Sequence, residues 1–344
     1  MLWKTSPMNV KKYLMSYVVM KPLLLMALSV LLVTACNSSK MQLSNISKEH
    51  AANISIPCQV VKHSMGEACV PNEPKRVVVL SHYGLLSHAL TLGVKPIGSN
   101  ANTLEDLKGD YLREQSFLGE KIEGIQQVGL PDNPNLEKIS LLKPDLILAW
   151  AALKPVYPLL SQIAPTVLIP FNMPDWKDQF NLVAEILGKE SEAQQVWEQY
   201  YQRVEELKAA LGDLYENRTI SVASTSPSNN YVLVKNSFAG SILNDVGLQR
   251  PAVQDVIKPG GGIYNISEER LDILDGDILF LLYTYDWGEM ETYQRLKKKP
   301  IWKQLKAVKN NQVFLVDFWT WIWSDPSAAN AVIDDLYKYL VDTP

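Results

Sequence analysis

Nine large amphipathic rings fall where this 344-residue chain is expected to end its strands: Tyr83, Trp150, Tyr231, Tyr283, Tyr285, Trp287, Trp319, Trp321 and Trp323. In open α/β sheets a ligand sits beyond the carboxyl ends of the strands. An indole N–H or phenol O–H on the rim of an apolar ring suits a bulky, partly apolar ligand that brings polar groups of its own. Alternation at 319, 321 and 323 places three indoles on one side of an extended segment, with at least one expected to be core. His82 lies beside Tyr83, and Arg250 with Lys235 is placed to meet an anionic group. Motifs for turnover are missing. No GxSxG elbow, HExxH helix or P-loop occurs, and none of the four histidines follows His88. An enzyme would have to rest on His82, His88 and scattered acids. A zinc or manganese site wants several histidines from both halves, and the second half has none. The glycine run at 258–262 lacks GxGxxG spacing and a preceding strand. The residues describe a binding site without a resident metal or cofactor.

The elements that must position these rings come in two similar sets. A motif at 135–148 recurs 132 residues later at 267–280: a capping residue, Glu, a basic residue, an apolar stripe, a Pro or Gly breaker, Asp, then an apolar run. Each copy reads as a short amphipathic helix, a tight turn and a buried strand. Glu137 and Glu269 are expected to open the two helices. A first α/β lobe at 76–190 carries strands near 76–80, 97, 146–148 and 166–169, with helices at 85–92, 136–142, 156–163 and 176–187. A second lobe at 213–344 carries strands at 220–224, 231–234, 278–283 and 313–316, with helices at 240–246 and 328–340. Between them, residues 191–212 form a single long helix of about 31 Å, opened by a capping box of Ser191 and Gln194. The expected class is α/β: two Rossmann-like lobes joined by one helix, with a ligand cleft between them.

Residues 1–35 are an address rather than fold. Lys4, Lys11, Lys12 and Lys21 precede an apolar run at 23–33 that ends in Val33-Thr34-Ala35-Cys36. That pattern fits a bacterial lipoprotein signal, with cleavage before Cys36 and lipid on its sulfur; an uncleaved anchor is the alternative. Residues 36–75 then make a polar tether and a hairpin. Cys58 and Cys69, eleven positions apart around a Met65-Gly66 turn in an exported chain, suggest a disulfide stabilising by roughly 2–3 kcal/mol; two free or metal-binding thiols are the other reading. Removing the four leader lysines takes the net charge from −4 to −8. So acidic a chain is a poor ligand for nucleic acid, and the basic run Lys297-Lys298-Lys299 reads as a solvated helix face.

Several segments resemble the substrate-binding lipoproteins of ABC importers that capture ferric siderophores, cobalamin or haem, closest to the iron-siderophore and iron-dicitrate type. They are Pro74-Lys75-Arg76-Val77-Val78-Val79-Leu80, Leu90-Thr91-Leu92-Gly93-Val94-Lys95-Pro96-Ile97-Gly98, Val128-Gly129 with Pro134-Asn135-Leu136-Glu137-Lys138-Ile139, Gly240-Ser241-Ile242-Leu243, and 302–308. The resemblance implies capture of a ferric siderophore or ferric-carboxylate chelate, whose iron is already satisfied by the ligand's own oxygens. It implies delivery to a permease dimer through Glu137 and Glu269, by a monomer lipid-anchored through Cys36 on the outer face of the cytoplasmic membrane. Haem, with His82 or Tyr83 as axial ligand, or cobalamin is the alternative cargo. Some hydroxamate-binding relatives carry an Arg shortly after the Val-Gly pair, where this chain has Leu130-Pro131-Asp132.

Overall fold

Residues 146–150, Leu-Ile-Leu-Ala-Trp, are buried without exception, the mark of a strand covered on both faces. The computed structural model describes residues 57–342 apart from 82–83, 101–120, 171–172, 174, 228 and 285–287. The chain from Ile56 onward forms one compact unit. It opens with the hairpin β1 (Cys58–His63) and β2 (Gly66–Pro71), closed by the Cys58–Cys69 disulfide. Gln59 fastens the hairpin to the body by donating from Nε2 to the carbonyls of Glu185 and Ile186, 3.0 Å each. Both lie in the last turn of a helix, where carbonyls run short of backbone donors; the Glu185 carbonyl also accepts from the Gly188 N–H.

The first lobe continues through β3 (Val77–Leu80), α1 (Leu85–Thr91), β4 (Gly98–Ser99), β5 (Gln126–Gln127) and a small ribbon of β6 (Gly129–Leu130) and β7 (Asn133–Pro134). Then come α2 (Leu136–Leu141), β8 (Leu146–Trp150), α3 (Tyr157–Ile163), β9 (Thr166–Ile169) and α4 (Trp176–Leu187). Strands β5-β4-β3-β8-β9 form an all-parallel sheet. Asn135 caps α2 by accepting from the Lys138 N–H at 2.9 Å.

Helix α5 (Glu190–Leu211) follows. It starts one residue earlier than expected, and Lys189 at its N-cap makes no side-chain cap; Ser191 instead hydrogen-bonds Glu192, so the expected capping box is not formed. The second lobe holds β10 (Ile220–Thr225), β11 (Asn230–Leu233), α6 (Phe238–Val246), β12 (Gly262–Ile263), β13 (Ile278–Tyr283), α7 (Glu289–Leu296), α8 (Pro300–Gln304), α9 (Lys306–Lys309), β14 (Val313–Asp317), α10 (Phe318–Ile322) and α11 (Pro326–Leu336). Its sheet order is β12-β11-β10-β13-β14, with β11 antiparallel to its neighbours.

The repeated motif keeps its strand and its Asp but not its helix. Asp145 accepts from the backbone N–H groups of Lys75 and Arg76 at 2.8 and 2.9 Å. Asp277 does the same job 132 residues on, accepting from the N–H and hydroxyl of Thr219, both at 2.8 Å. Each carboxylate staples the start of one parallel strand to its neighbour. The helix of the second copy is a single 3-10 turn, Leu271–Leu274, and Glu269 precedes it rather than opening an α-helix. The cause is local: the Ser267 hydroxyl binds the Glu269 carboxylate instead of capping backbone, and Arg270 turns onto Asp272.

Helix α5 contributes to the cores of both lobes. Ala193 packs into the first; Tyr200, Val204, Leu207 and Leu211 pack into the second, and Trp197 touches both. One carboxylate ties the joint. Asp245 of α6 accepts from Lys177 of α4 at 2.6 Å and from the Tyr200 hydroxyl of α5 at 2.7 Å. Burial pulls the Lys177 amine down, but its bonds to Asp245 and Tyr201 outweigh that and raise it; burial and then the Asp245 charge push the Tyr200 phenol up. Both stay protonated donors across the physiological range. Removing one member of a buried ion pair strands the other, whereas exposed pairs count for little. Because the pair is only partly buried, Asp245→Ala is expected to cost about 2–3 kcal/mol in urea unfolding, below the value for a fully buried pair. Asp334→Ala, which removes an exposed partner of Arg203 but leaves its bonds to Asn330, is expected to cost less than about 1 kcal/mol; equal losses would refute the central role of Asp245.

Candidate functional site

Strands β3 and β4 leave the first sheet side by side, and a side chain holds their exits together. The Ser81 N–H donates to Asn100 Oδ1 at 2.6 Å, and Asn100 Nδ2 returns a bond to the Ser81 carbonyl at 2.7 Å. This clamp continues the ladder one step past its last backbone pair, Val79 with Ser99, and it aims the chain toward 82–83. Sequence reading missed Asn100. His82 and Tyr83 lie outside the described residues, as do Tyr285 and Trp287.

Gly84 then starts α1 at φ +73°, a backbone region that side chains disfavour. A Cβ there would sit 3.6 Å from the Trp323 carbonyl and 3.7 Å from Gln179 Oε1. The chain just past β3 in the first lobe thus meets the segment following β14 in the second. Trp150 ends β8 as anticipated, but lies almost wholly in the first core.

The second lobe gathers hydroxyls at the carboxyl end of its sheet. Tyr231 lies opposite Ser224 near the end of β10 and shares a hydrogen bond with it. Its ring stands 5.2 Å from Tyr264, and burial pushes its phenol up. Thr284 donates to the buried Glu289 at 3.0 Å. Tyr283, half-buried, ends β13 beside Asp317. Neither Tyr264 nor Glu289 was anticipated.

Three expectations are corrected. Residues 318–322 are helical, not extended, because Asp317 caps them by accepting from the Thr320 N–H at 2.7 Å and its hydroxyl at 2.8 Å. Trp319 is half-buried and edge-on to Trp323 at 5.3 Å. Trp321 and Trp323 are fully buried core residues; Trp321 donates to Asp335 at 2.8 Å and packs 4.7 Å from Phe280. Arg250 lies near the amino end of the second sheet, where Gln249 bridges Thr219, and it donates to the Leu233 carbonyl and Gln254. Buried there, it is a structural cation rather than an anion receptor. Lys235 pairs with Asp255 at 3.0 Å. His88 is core as well, edge-on to Phe180, with burial holding its imidazole down at about 3 and neutral.

Helix α1 packs on α11. Thr91 and Ser327 share a hydrogen bond of 3.0 Å between the lobes. Asp325, fully buried, caps α11 by accepting from the N–H groups of Ser327 and Ala328 at 2.7 and 3.1 Å, with Ser87 of α1 nearby. Burial raises its carboxyl to about 6, against the opposing pull of Ser87 and the two N–H groups. A folded-state value above the unfolded one adds stability that is complete below about 3.8 and lost as pH rises through about 6. Asp325→Asn keeps the cap and mimics the protonated acid. It is expected to raise stability by up to about 3 kcal/mol above pH 6 and to change little below about pH 4. Melting curves of both proteins across that window test it; a gap that does not close on acidification refutes it.

Comparison with known proteins gives a consistent picture. The model of a family described as periplasmic binding protein matches residues 92–319. The probable siderophore-binding lipoprotein YfiY of Bacillus subtilis is 32% identical over 327 residues, 92% of this chain and 96% of that protein. The Fe(3+)-citrate-binding protein YfmC of the same organism is 32% identical over 320 residues, 90% of this chain and 95% of its own. The structure of Staphylococcus aureus SirA complexed with staphyloferrin B superposes with a TM-score of 0.70 at 31% identity, covering 82% of this chain and 98% of that one.

Proposed function

Because the chain belongs to the periplasmic binding protein family, we propose that it captures a ferric siderophore or ferric-carboxylate chelate between its lobes and delivers it to the permease of an ABC importer. The observation that supports this reading is the approach of the chain after β3 to the segment after β14, at Gly84 and Trp323, together with Tyr231, Tyr283 and Thr284 at the carboxyl end of the second sheet. Such a site offers ring faces and hydrogen bonds to a ligand that arrives with its metal already enclosed. The names of YfiY and YfmC, and the staphyloferrin B held by SirA, support the same cargo class. Export with a lipid on Cys36 agrees with relatives that are named lipoproteins.

Delivery is assigned to Glu137 and Glu269. Glu137 sits exposed in the first turn of α2, and the Glu269 carboxylate is held low by its bond to Ser267, so both present negative charge. Charges on a rim steer and orient association more than they tighten it. They suit arginines on two matching permease subunits.

Two measurements test the reading. Tryptophan fluorescence of the soluble chain from residue 37, titrated with ferric hydroxamate, catecholate and citrate complexes, haem and cobalamin, should change with a ferric chelate. Tyr231→Phe should weaken that binding about tenfold, or 1.4 kcal/mol. A response to haem or cobalamin alone would replace the cargo. The pair Glu137→Ala and Glu269→Ala should leave affinity intact and abolish uptake; persistent uptake would remove the docking assignment.

A further inference from the structure

The region 295–309 carries seven cations, Arg295, Lys297, Lys298, Lys299, Lys303, Lys306 and Lys309, and no acid, in a chain of net charge −4. Leu296, Trp302, Leu305 and Ala307 turn inward and fix this stretch to the second lobe, leaving the cations on its outer surface. The acids nearby are already engaged. Glu268 pairs with Arg295 and Lys299, Asp275 accepts from the Lys306 N–H at 2.7 Å, and Asp277 is held by Thr219. Lys297, Lys298, Lys303 and Lys309 remain exposed and form no ion pair with a described residue.

The patch has a defined place in the fold. Helix α9 leads into β14, and the Ala307 N–H donates to the Gly276 carbonyl, just ahead of β13. Lys303, Lys306 and Lys309 therefore flank the amino end of the second sheet, opposite its carboxyl end.

We propose that this basic face seats the protein on an anionic phospholipid bilayer. Clusters of four to eight lysines or arginines bind anionic lipid surfaces. The tether from 37 to 56 reaches no more than about 70 Å when extended, so an anchor at Cys36 holds the domain within range of the headgroups. The proposal does not rest on the identity of the cargo.

The soluble chain from residue 37 is sedimented with vesicles of phosphatidylcholine alone and with vesicles of equal parts phosphatidylcholine and phosphatidylglycerol. Binding is expected only to the mixed vesicles, weakening about tenfold or more between low and physiological salt. The combined variant Lys297→Glu, Lys298→Glu, Lys303→Glu and Lys309→Glu should lose it while keeping a native near-ultraviolet circular dichroism spectrum. The same four positions changed to Gln provide a gentler set, expected to fall between the two. Three results would overturn the proposal: no binding to mixed vesicles at low salt, undiminished binding by a folded charge-reversed variant, or binding to a soluble polyphosphate chain without binding to vesicles.

Discussion

Two lobes with separate sheets must be held in register to share one ligand, and here a carboxylate sits at the joint between them. Asp245 sits where α4, α5 and α6 meet, and its Oδ2 takes both the Lys177 ammonium and the Tyr200 hydroxyl. Trp176 adds a second link across the joint, donating from its indole to Ser241 at 2.9 Å while packing on Trp197, Tyr200 and Phe238. Rings and charge share the work: the aromatic cluster excludes water from a half-buried ion pair, and the pair fixes the direction in which the rings stack. A second joint packs α1 on α11. Two joints of packed helices resist a swing of the lobes about a single loop.

That constraint explains the chemistry of the gap. A cleft that closes far can wrap a ligand and expel nearly all its water. A cleft of nearly fixed width must instead match shape and offer groups already in place. The Ser81–Asn100 clamp, the Thr284–Glu289 bond and the Tyr231–Ser224 pair are such groups, each committed to a partner before any ligand arrives. Side chains held this way lose little rotamer entropy on binding, which favours a rigid ligand such as a pre-formed chelate.

The sequence was legible where information is local. Apolar runs located β8, β9 and β13, and the Pro and Gly breakers placed the ends of α4 and the turns before β8 and β13 within a residue or two. Cys58 and Cys69 paired because one hairpin brings them together. The aromatic run after β14 was misread because the alternation of tryptophans at 319, 321 and 323 imitates a strand. The decisive signal was quieter: Asp317 three residues before Thr320 is a helix cap, and a cap forces Trp321 inward and leaves Trp319 at the rim. Arg250 and Asp245 were not legible at all. Their partners are set by how distant elements pack, and no spacing within the chain reveals that Gln254, Lys177 or Tyr200 will be there to receive them.

The internal repeat shows which part of a motif physics holds and which it releases. Asp145 and Asp277 keep one role because a parallel strand pair begins with unsatisfied N–H groups, and a carboxylate one residue ahead of the neighbouring strand is well placed to accept from them. Val77 aligns with Leu146, and Ile220 with Ile278, so the staple lies at the same rung in both sheets. The helix ahead of it carries no such demand. In the first copy Asn135 caps a helix; in the second, Ser267 and Arg270 spend their hydrogen bonds on neighbouring carboxylates, and the chain folds as a short 3-10 turn. Glu137 and Glu269 therefore stand on unlike supports. Any partner that grips both must tolerate that asymmetry, so charge rather than close packing is the interaction that such a pair of contacts is able to share.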